Sequence, residues 1–396
     1  MTKISLERTP DERSGIAPAN RRSKQQLHEE SPSRSNTDNS TVELIGSESK
    51  HAQPSTVNSF RLRVREIVKE TEDSCSVVLE RAREDIDPYR YRPGQFLTLR
   101  IPTPEGAVTR CYSLCSSPDA REPMRIGVKA VPGGLASNWI NQQLRVGDEI
   151  ESLPPAGNFW PRSFSHPLTL FAGGSGVTPM LSIAKSAIIQ GCPDILLVFA
   201  NRDRESVMFR SALSELAAEN RSLTVIHWFD QERGFMSEAD IREMAGTRTE
   251  SDVYVCGPEP FMNMVSDSLA AMGLPKRRIH LERFKSLDGD PFTVAREAAT
   301  VDDTAATARV KVSLYDAVHE LDWPRSQTLL ALLEEAGLAP PFSCREGRCS
   351  ACACVLRSGK VSMMRNDALE PEDLEDGLIL SCQALPITDE IQIEYP

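Results

Sequence analysis

The sequence predicts a multidomain protein: an antiparallel β-barrel, a doubly wound α/β domain and a small α+β domain of the β-grasp type. Three observations carry this. The chain has 396 residues, more than one typical domain holds. From Phe60 it runs through short strand-like segments parted by turn signals, then near residue 164 it switches to strands alternating with helices. After an Ala/Thr/Asp-rich stretch ending near residue 308, one further small unit follows, built around closely spaced cysteines.

Residues 1–56 are rich in Ser, Asn, Gln, Arg and Glu and contain almost no aromatic side chains. Such a segment buries too little apolar surface to offset its ordering entropy, and it reads as a disordered tail. Residues 57–163 are assigned to the barrel, with strands at 60–68, 76–79, 95–101, 124–129 and 146–153 and one short helix over 136–144. Pro93-Gly94 and Pro132-Gly133-Gly134 mark turns between them. Residues 164–285 form the α/β domain. Its strands are expected at 168–171, 195–200, 223–229 and 252–256, and its helices at 180–187, 209–216, from 237, and over 261–272. Ser237 and Asp240 make a capping signal, and Gly273 a helix stop. Residues 286–308 read as a linker. Residues 309–396 hold a hairpin, a helix over 328–336, the cysteine loop and closing strands.

Cys344, Cys349 and Cys352, followed by the distant Cys382, give C-x4-C-x2-C plus one, the plant-type [2Fe–2S] spacing. Two bridged irons need four thiolates converging on one small volume, so a tight loop supplies three and another segment the fourth. Gly347 permits backbone angles closed to other residues, and the small residues Ser350, Ala351 and Ala353 let N–H groups approach the sulfurs. Structural zinc usually takes paired C-x2-C units, and only one is present. A disulfide framework is foreign to a long chain without a signal peptide. Cys354, leading into Val355-Leu356, reads as a buried strand residue.

Arg110-Cys-Tyr112-Ser113 follows the Pro-Gly-Gln-Phe strand. An arginine fork suits a phosphate, a tyrosine offers a face to an aromatic ring, and a serine hydroxyl can reach a flavin N5 or O4. The same four residues also fit a plain barrel strand with a surface arginine. Gly133-Gly134 through Ser137 opens a helix whose N–H groups suit a pyrophosphate. Lys129 reads equally as a flavin contact and as a solvated lysine. Gly173-Gly174-Ser-Gly176-Val-Thr178 joins a strand to a helix, where glycines admit a phosphate or simply make a tight turn. Cys256-Gly257-Pro258 ends a later strand at the carboxyl edge, where nucleotides bind in such sheets. Arg202, beside Asp203, Arg204 and Glu205, follows another strand where an adenosine ribose would lie. That stretch offers a carboxylate for NADH and arginines for NADPH.

Together these stretches resemble the ferredoxin–NADP reductase superfamily fused to a C-terminal plant-type ferredoxin, over about residues 57–396. The segments RCYSLCSSP, GGLASNW, PPAGNFWP, YVCGPEPFM, FKSLDGDPF, PFSCREGRCSACAC and GLILSCQA are similar to those of the reductase components of 3-ketosteroid 9α-hydroxylases, which serve steroid degradation. The resemblance implies FAD held by Arg110, Tyr112, Ser113, Lys129, Gly134 and Ser137. It implies a nicotinamide nucleotide, NADH more than NADPH, along Gly173, Gly174, Gly176, Thr178, Cys256, Gly257 and Pro258. Phe284 matches the family's aromatic residue near the flavin. Ser350 departs from the pattern, since relatives often have glycine there.

A nicotinamide gives two electrons as hydride, an iron–sulfur cluster carries one, and a flavin accepts a pair and releases electrons singly. The order NAD(P)H, FAD, [2Fe–2S], outside acceptor follows, and it calls for no catalytic acid or triad. The expected acceptor is a terminal oxygenase, with phenylacetyl-CoA or ring-hydroxylating oxygenases as alternatives to the steroid enzyme. A non-catalytic redox carrier or sensor is the competing class. Net charge −12 speaks against nucleic acid, and no apolar run is long enough to span a membrane. The N-terminus lacks a signal-peptide core, so a cytoplasmic monomer is expected. From Arg309 onward, eight Lys/Arg face fifteen Asp/Glu. The group Glu370, Glu372, Asp373, Glu375 and Asp376 reads as a solvated helix face or as a docking surface for a basic oxygenase.

Overall fold

The computed structural model describes residues 4–8, 59–81, 90–246, 248, 250–292 and 307–395. Most of the tail read as disordered, and most of the linker, lie outside these. Strand Ile4–Arg8 is an exception: it pairs antiparallel with Gly359–Met363, so the tail contributes one strand.

The first sheet has six antiparallel strands in the spatial order Gly106–Ser113, Phe96–Thr103, Glu149–Ser152, Phe60–Thr71, Ser74–Arg81 and Met124–Lys129. Its two outer strands meet through a bridge between Leu114 and Ile126, which closes the barrel. Leu62, Val64, Leu97, Leu99 and Ile126 fill the interior. The alternation seen from Phe60 fits this inside-out pattern, with Leu62 and Val64 buried and their neighbours exposed.

The second sheet is wholly parallel, in the order Leu223–Phe229, Ile195–Asn201, Leu168–Gly173, Asp252–Cys256 and Ile279–Glu282. Apolar clusters cover both faces, as a doubly wound sheet requires. Helix Val177–Ile189 starts just after the glycine turn, and helix Glu238–Ala245 carries the expected box between Ser237 and Asp240. Helix Glu259–Ala271 begins before the predicted 261, because Pro258 caps it and Pro260 is tolerated in the first turn.

The third sheet is mixed. Hairpin Thr307–Leu314 and Ala317–Pro324 turns through Tyr315 and Asp316, both with positive φ. Thr307–Leu314 pairs parallel with Glu390–Glu394, which in turn pairs antiparallel with Ala353–Met363. Helix Leu329–Glu335, capped by Thr328, buries Leu329, Leu330, Leu332 and Leu333 against this sheet. That is the expected β-grasp.

Candidate functional site

The cysteine loop is built to accept sulfur ligands. Backbone N–H groups of Glu346 and Arg348 each lie 3.3 Å from Cys344 Sγ, and that of Cys344 lies 3.4 Å from Cys349 Sγ. Gln383 Nε2 approaches Cys382 Sγ at 3.5 Å. The four thiols form a connected set in which Cys344 contacts Cys349 and Cys382, and Cys382 contacts Cys352. The buried Ser381 hydroxyl, next to Cys382, lies toward Cys352 and the Tyr395 phenol. Donors aimed at sulfur fit a [2Fe–2S] cluster on these four residues. No three His, Cys, Asp or Glu side chains converge as a single-ion site among the described residues. A two-iron cluster asks for only two thiolates per iron. Cys354 sits 1% exposed in the strand after the loop, its thiol raised by burial, as expected of a core residue.

Loop shape has local causes. Gly347 has φ +74°, and a Cβ there would meet Arg365 O at 2.9 Å. Ser350 has φ +47°, in the left-handed region that favours glycine. Arg345 also has positive φ, and its guanidinium holds Glu334 through two bonds of 2.6 and 2.7 Å.

On the barrel side, Arg110, Tyr112 and Ser113 lie on strand Gly106–Ser113, as the barrel-strand reading of the motif expected. Arg110 donates to carbonyls of Thr109 and Leu287 and has no carboxylate partner among the described residues, so its charge is available to a phosphate. Helix Leu135–Gln142 follows Gly134 with no side-chain cap, leaving first-turn N–H groups for a pyrophosphate. Ser137 Oγ accepts from Val131 N at 3.3 Å, and this local bond shapes the same turn. These features fit FAD.

Beside the barrel, a cleft of about 470 Å³ is lined by Lys129, Gly173, Gly174, Gly257, Pro258 and Phe284, among others. Lys129 is paired with Asp73 at 3.5 Å, so it is neither simply solvated nor free. The glycines are needed for a reason the sequence did not reveal. A Cβ on Gly176 would lie 2.1 Å from Cys256 O, and one on Gly173 would lie 2.9 Å from Pro258. The two loops therefore pack backbone to backbone. Thr178 and Cys256 are buried and do not line the cleft. Thr178 Oγ1 donates to Ser175 O, and Cys256 packs in the core. Arg202 lies apart at the surface, on Asp203.

The three units meet at one cavity. It is lined by Phe96, Cys111 and Ser113 of the barrel, by the stretch Glu282 to Lys285, and by Arg348 and Cys349 of the cysteine loop. Phe96, Ala156 and Ala351 pack together there with Cys111 and Cys349. The acidic segment helps hold this arrangement. Glu370 pairs with Arg283 and Glu372 with Lys276, so two of its five carboxylates face the protein's own nucleotide-binding unit. For these two, the reading of a solvated face or outward docking surface gives way to pairing within the chain. Replacing Glu370 and Glu372 together with Gln should slow cluster reduction two- to tenfold, since exposed pairs contribute about 0–1 kcal/mol each. Stopped-flow runs from low to high salt check this: the wild type should slow as salt rises and the variant should not.

Glu282, missed in the sequence, closes the cavity with no hydrogen bond or ion pair among the described residues. Burial pushes its carboxyl up to about 8. A raised carboxyl binds more protons folded than unfolded, so its contribution to stability is fullest below the ordinary carboxylate range. That contribution is lost as pH rises through about 8. Glu282→Gln should therefore flatten the pH dependence of stability between pH 5 and 8, by on the order of a few kcal/mol, in denaturant titrations.

These sites define an oxidoreductase that joins a flavin, a nicotinamide nucleotide and an iron–sulfur cluster. Family models agree: the oxidoreductase FAD-binding domain matches residues 59–160, the oxidoreductase NAD-binding domain 170–267, and the 2Fe-2S iron-sulfur cluster binding domain 316–386. The ferredoxin reductase component of 3-ketosteroid-9-alpha-monooxygenase from Rhodococcus rhodochrous is 44% identical over 340 residues, covering 85% of this chain and 97% of that protein. A component of the 1,2-phenylacetyl-CoA epoxidase of Escherichia coli is 31% identical, covering 84% of this chain and 97% of that one. The solved structure of phthalate dioxygenase reductase superposes with a TM-score of 0.52 at 26% identity, covering 85% of this chain and 98% of that one. The chain belongs to the family of reductase components of multicomponent oxygenases. No helix among the described residues is long and apolar enough to cross a membrane.

Proposed function

We propose that the protein passes electrons from NADH through FAD and a [2Fe–2S] cluster to a terminal oxygenase, and that this oxygenase is a 3-ketosteroid 9α-monooxygenase. The cavity shared by Ser113, Phe284 and Cys349 carries the reading, because one small space touches the flavin strand, the nucleotide cleft and a cluster ligand. When bound, the flavin converts a hydride into single electrons and the cluster relays them. The chain's own residues do the rest. Arg110 and the helix after Gly134 hold phosphate, Tyr112 and Ser113 orient the ring, and Phe284 covers the cleft. Cys344, Cys349, Cys352 and Cys382 hold the irons. The 44% identity to the steroid system's reductase supports the partner. Reconstitution with candidate oxygenases tests it: coupled turnover with the steroid enzyme should exceed that with a phenylacetyl-CoA epoxidase, and the reverse order would overturn the assignment.

NADH is the proposed donor. Arg202 Nε donates to Asp203 at 2.7 Å, and Arg204 holds Glu232 through two bonds of 2.8 and 3.2 Å. Both arginines already serve carboxylates, which leaves the stretch better suited to a ribose hydroxyl than to a 2′-phosphate. One charge-assisted bond contributes about 1.5–3 kcal/mol, so kcat/KM should favour NADH by about tenfold or more. Equal values for NADPH would contradict this.

A further inference from the structure

We propose that Thr98 and Ser343 are positioning residues that hold the cluster loop in register against the flavin strand. The inference rests on reading Arg110 to Ser113 as that strand. Thr98 lies on Phe96–Thr103 directly opposite Cys111, the neighbour of Tyr112. Ser343 immediately precedes the ligand Cys344. The two hydroxyls are 2.7 Å apart, and their residues are 0% and 1% exposed. Cys111 Sγ completes the group, 3.6 Å from Thr98 Oγ1 and 3.8 Å from Ser343 Oγ. One hydrogen bond therefore ties a residue beside the flavin motif to a residue beside a cluster ligand.

Buried hydroxyls are costly unless paired, and here each pairs with the other across two units of the chain. The cysteine loop has further attachments: Arg345 Nε donates to Pro291 O at 3.3 Å, and Glu346 accepts from Asp288 N at 3.2 Å. Arg348 on Asp288 is a rim ion pair with an exposed member, as is Glu370 on Arg283 just before helix Pro371–Glu375, and salt screens both. Asn158 Nδ2 donates to Ser350 O at 2.8 Å and secures the far side of the loop. The hydroxyl pair is directional and dry, and it joins the barrel to the residue before a ligand, so it fixes the register that the ion pairs only hold closed. Each transfer from flavin to cluster moves one electron and forms no bond, and its rate depends on spacing and packing across this contact.

The test uses the full-length protein loaded with FAD and iron, in wild-type, Thr98→Val, Thr98→Ser and Ser343→Ala forms. FAD and iron content, the EPR spectrum of the reduced cluster, and stopped-flow absorbance during NADH reduction are measured. Hydrogen exchange of the amides at 342–350 is followed as well. Thr98→Val and Ser343→Ala should keep both cofactors and normal flavin reduction. Cluster reduction should slow by about tenfold or more, as a misplacement of about 1 Å can do, and the loop amides should exchange faster. Thr98→Ser, which retains the hydroxyl, should behave as wild type. Wild-type cluster reduction in Thr98→Val overturns the proposal. So does a Thr98→Ser variant as slow as Thr98→Val, which would point to methyl packing. Should Ser343→Ala fail to load a cluster, Thr98→Val, far away in sequence, decides alone. The flavin reading fails separately: it falls if Tyr112→Ala retains FAD, whatever the Thr98 variants do.

Discussion

Replacing Cys349 with serine should remove the iron–sulfur cluster and leave FAD in place. The four thiols fall within the 2Fe-2S cluster binding domain over residues 316–386, whereas Arg110, Tyr112 and the helix after Gly134 belong to the barrel. Outer-shell partners alone cost about 10–100-fold in metal affinity, so the loss of a direct ligand exceeds that. The visible iron–sulfur absorption and EPR signal should vanish, and electron delivery to an oxygenase should fall to background. NADH-dependent ferricyanide reduction, which the flavin supports alone, should persist. The same pattern is expected for Cys344, Cys352 and Cys382, whereas Cys354→Ala should keep its cluster and lose only some core packing. A normal cluster signal in Cys349→Ser would remove that residue from the ligand set.

The converse effect is expected at the barrel. Arg110→Ala should empty the flavin site while the cluster stays assembled. A charge-assisted bond to phosphate contributes about 1.5–3 kcal/mol, equivalent to a 10–100-fold loss of FAD affinity. Arg110 has no carboxylate to fall back on, and its contacts to the carbonyls of Thr109 and Leu287 are weak substitutes. Arg110→Lys should recover only part of the loss, because it keeps the charge and not the fork. All NADH oxidation, to ferricyanide as well as to an oxygenase, should fall with FAD content. Equilibrium dialysis against FAD gives the affinity directly, and an unchanged value would reassign Arg110 to the surface-strand reading.

The four cysteines that converge on one loop were legible in the sequence, because the chemistry of a cluster dictates their spacing. The barrel, the parallel sheet and the cap at Ser237 were legible from periodicity and turn chemistry. What was hidden depends on contacts between distant segments. Strand Ile279–Glu282 is four residues long, too short for a periodic signal, and Glu282 became notable only once its enclosure was visible. The glycines of the strand–helix turn suggested room for phosphate, yet Gly176 answers first to the carbonyl of Cys256. The charges of Glu370 and Glu372 were plain, but nothing along the chain said that Lys276 and Arg283 would face them. The strand formed by Ile4–Arg8 has the same explanation, since its partner Gly359–Met363 lies at the far end of the chain. The pairing of Thr98 with Ser343 likewise joins residues that only folding brings together.

Anaerobic mixing of the FAD- and iron-loaded protein with one equivalent of NADH tests the central claim most directly. The claim is that one junction of three units passes electrons in a fixed order. Flavin absorbance should bleach first and iron–sulfur absorbance second, with the second phase independent of protein concentration because the transfer stays within the chain. In Arg110→Ala freed of FAD, the cluster should remain oxidised. Cluster reduction by NADH in that flavin-free protein, or a second phase that scales with protein concentration, would contradict the account.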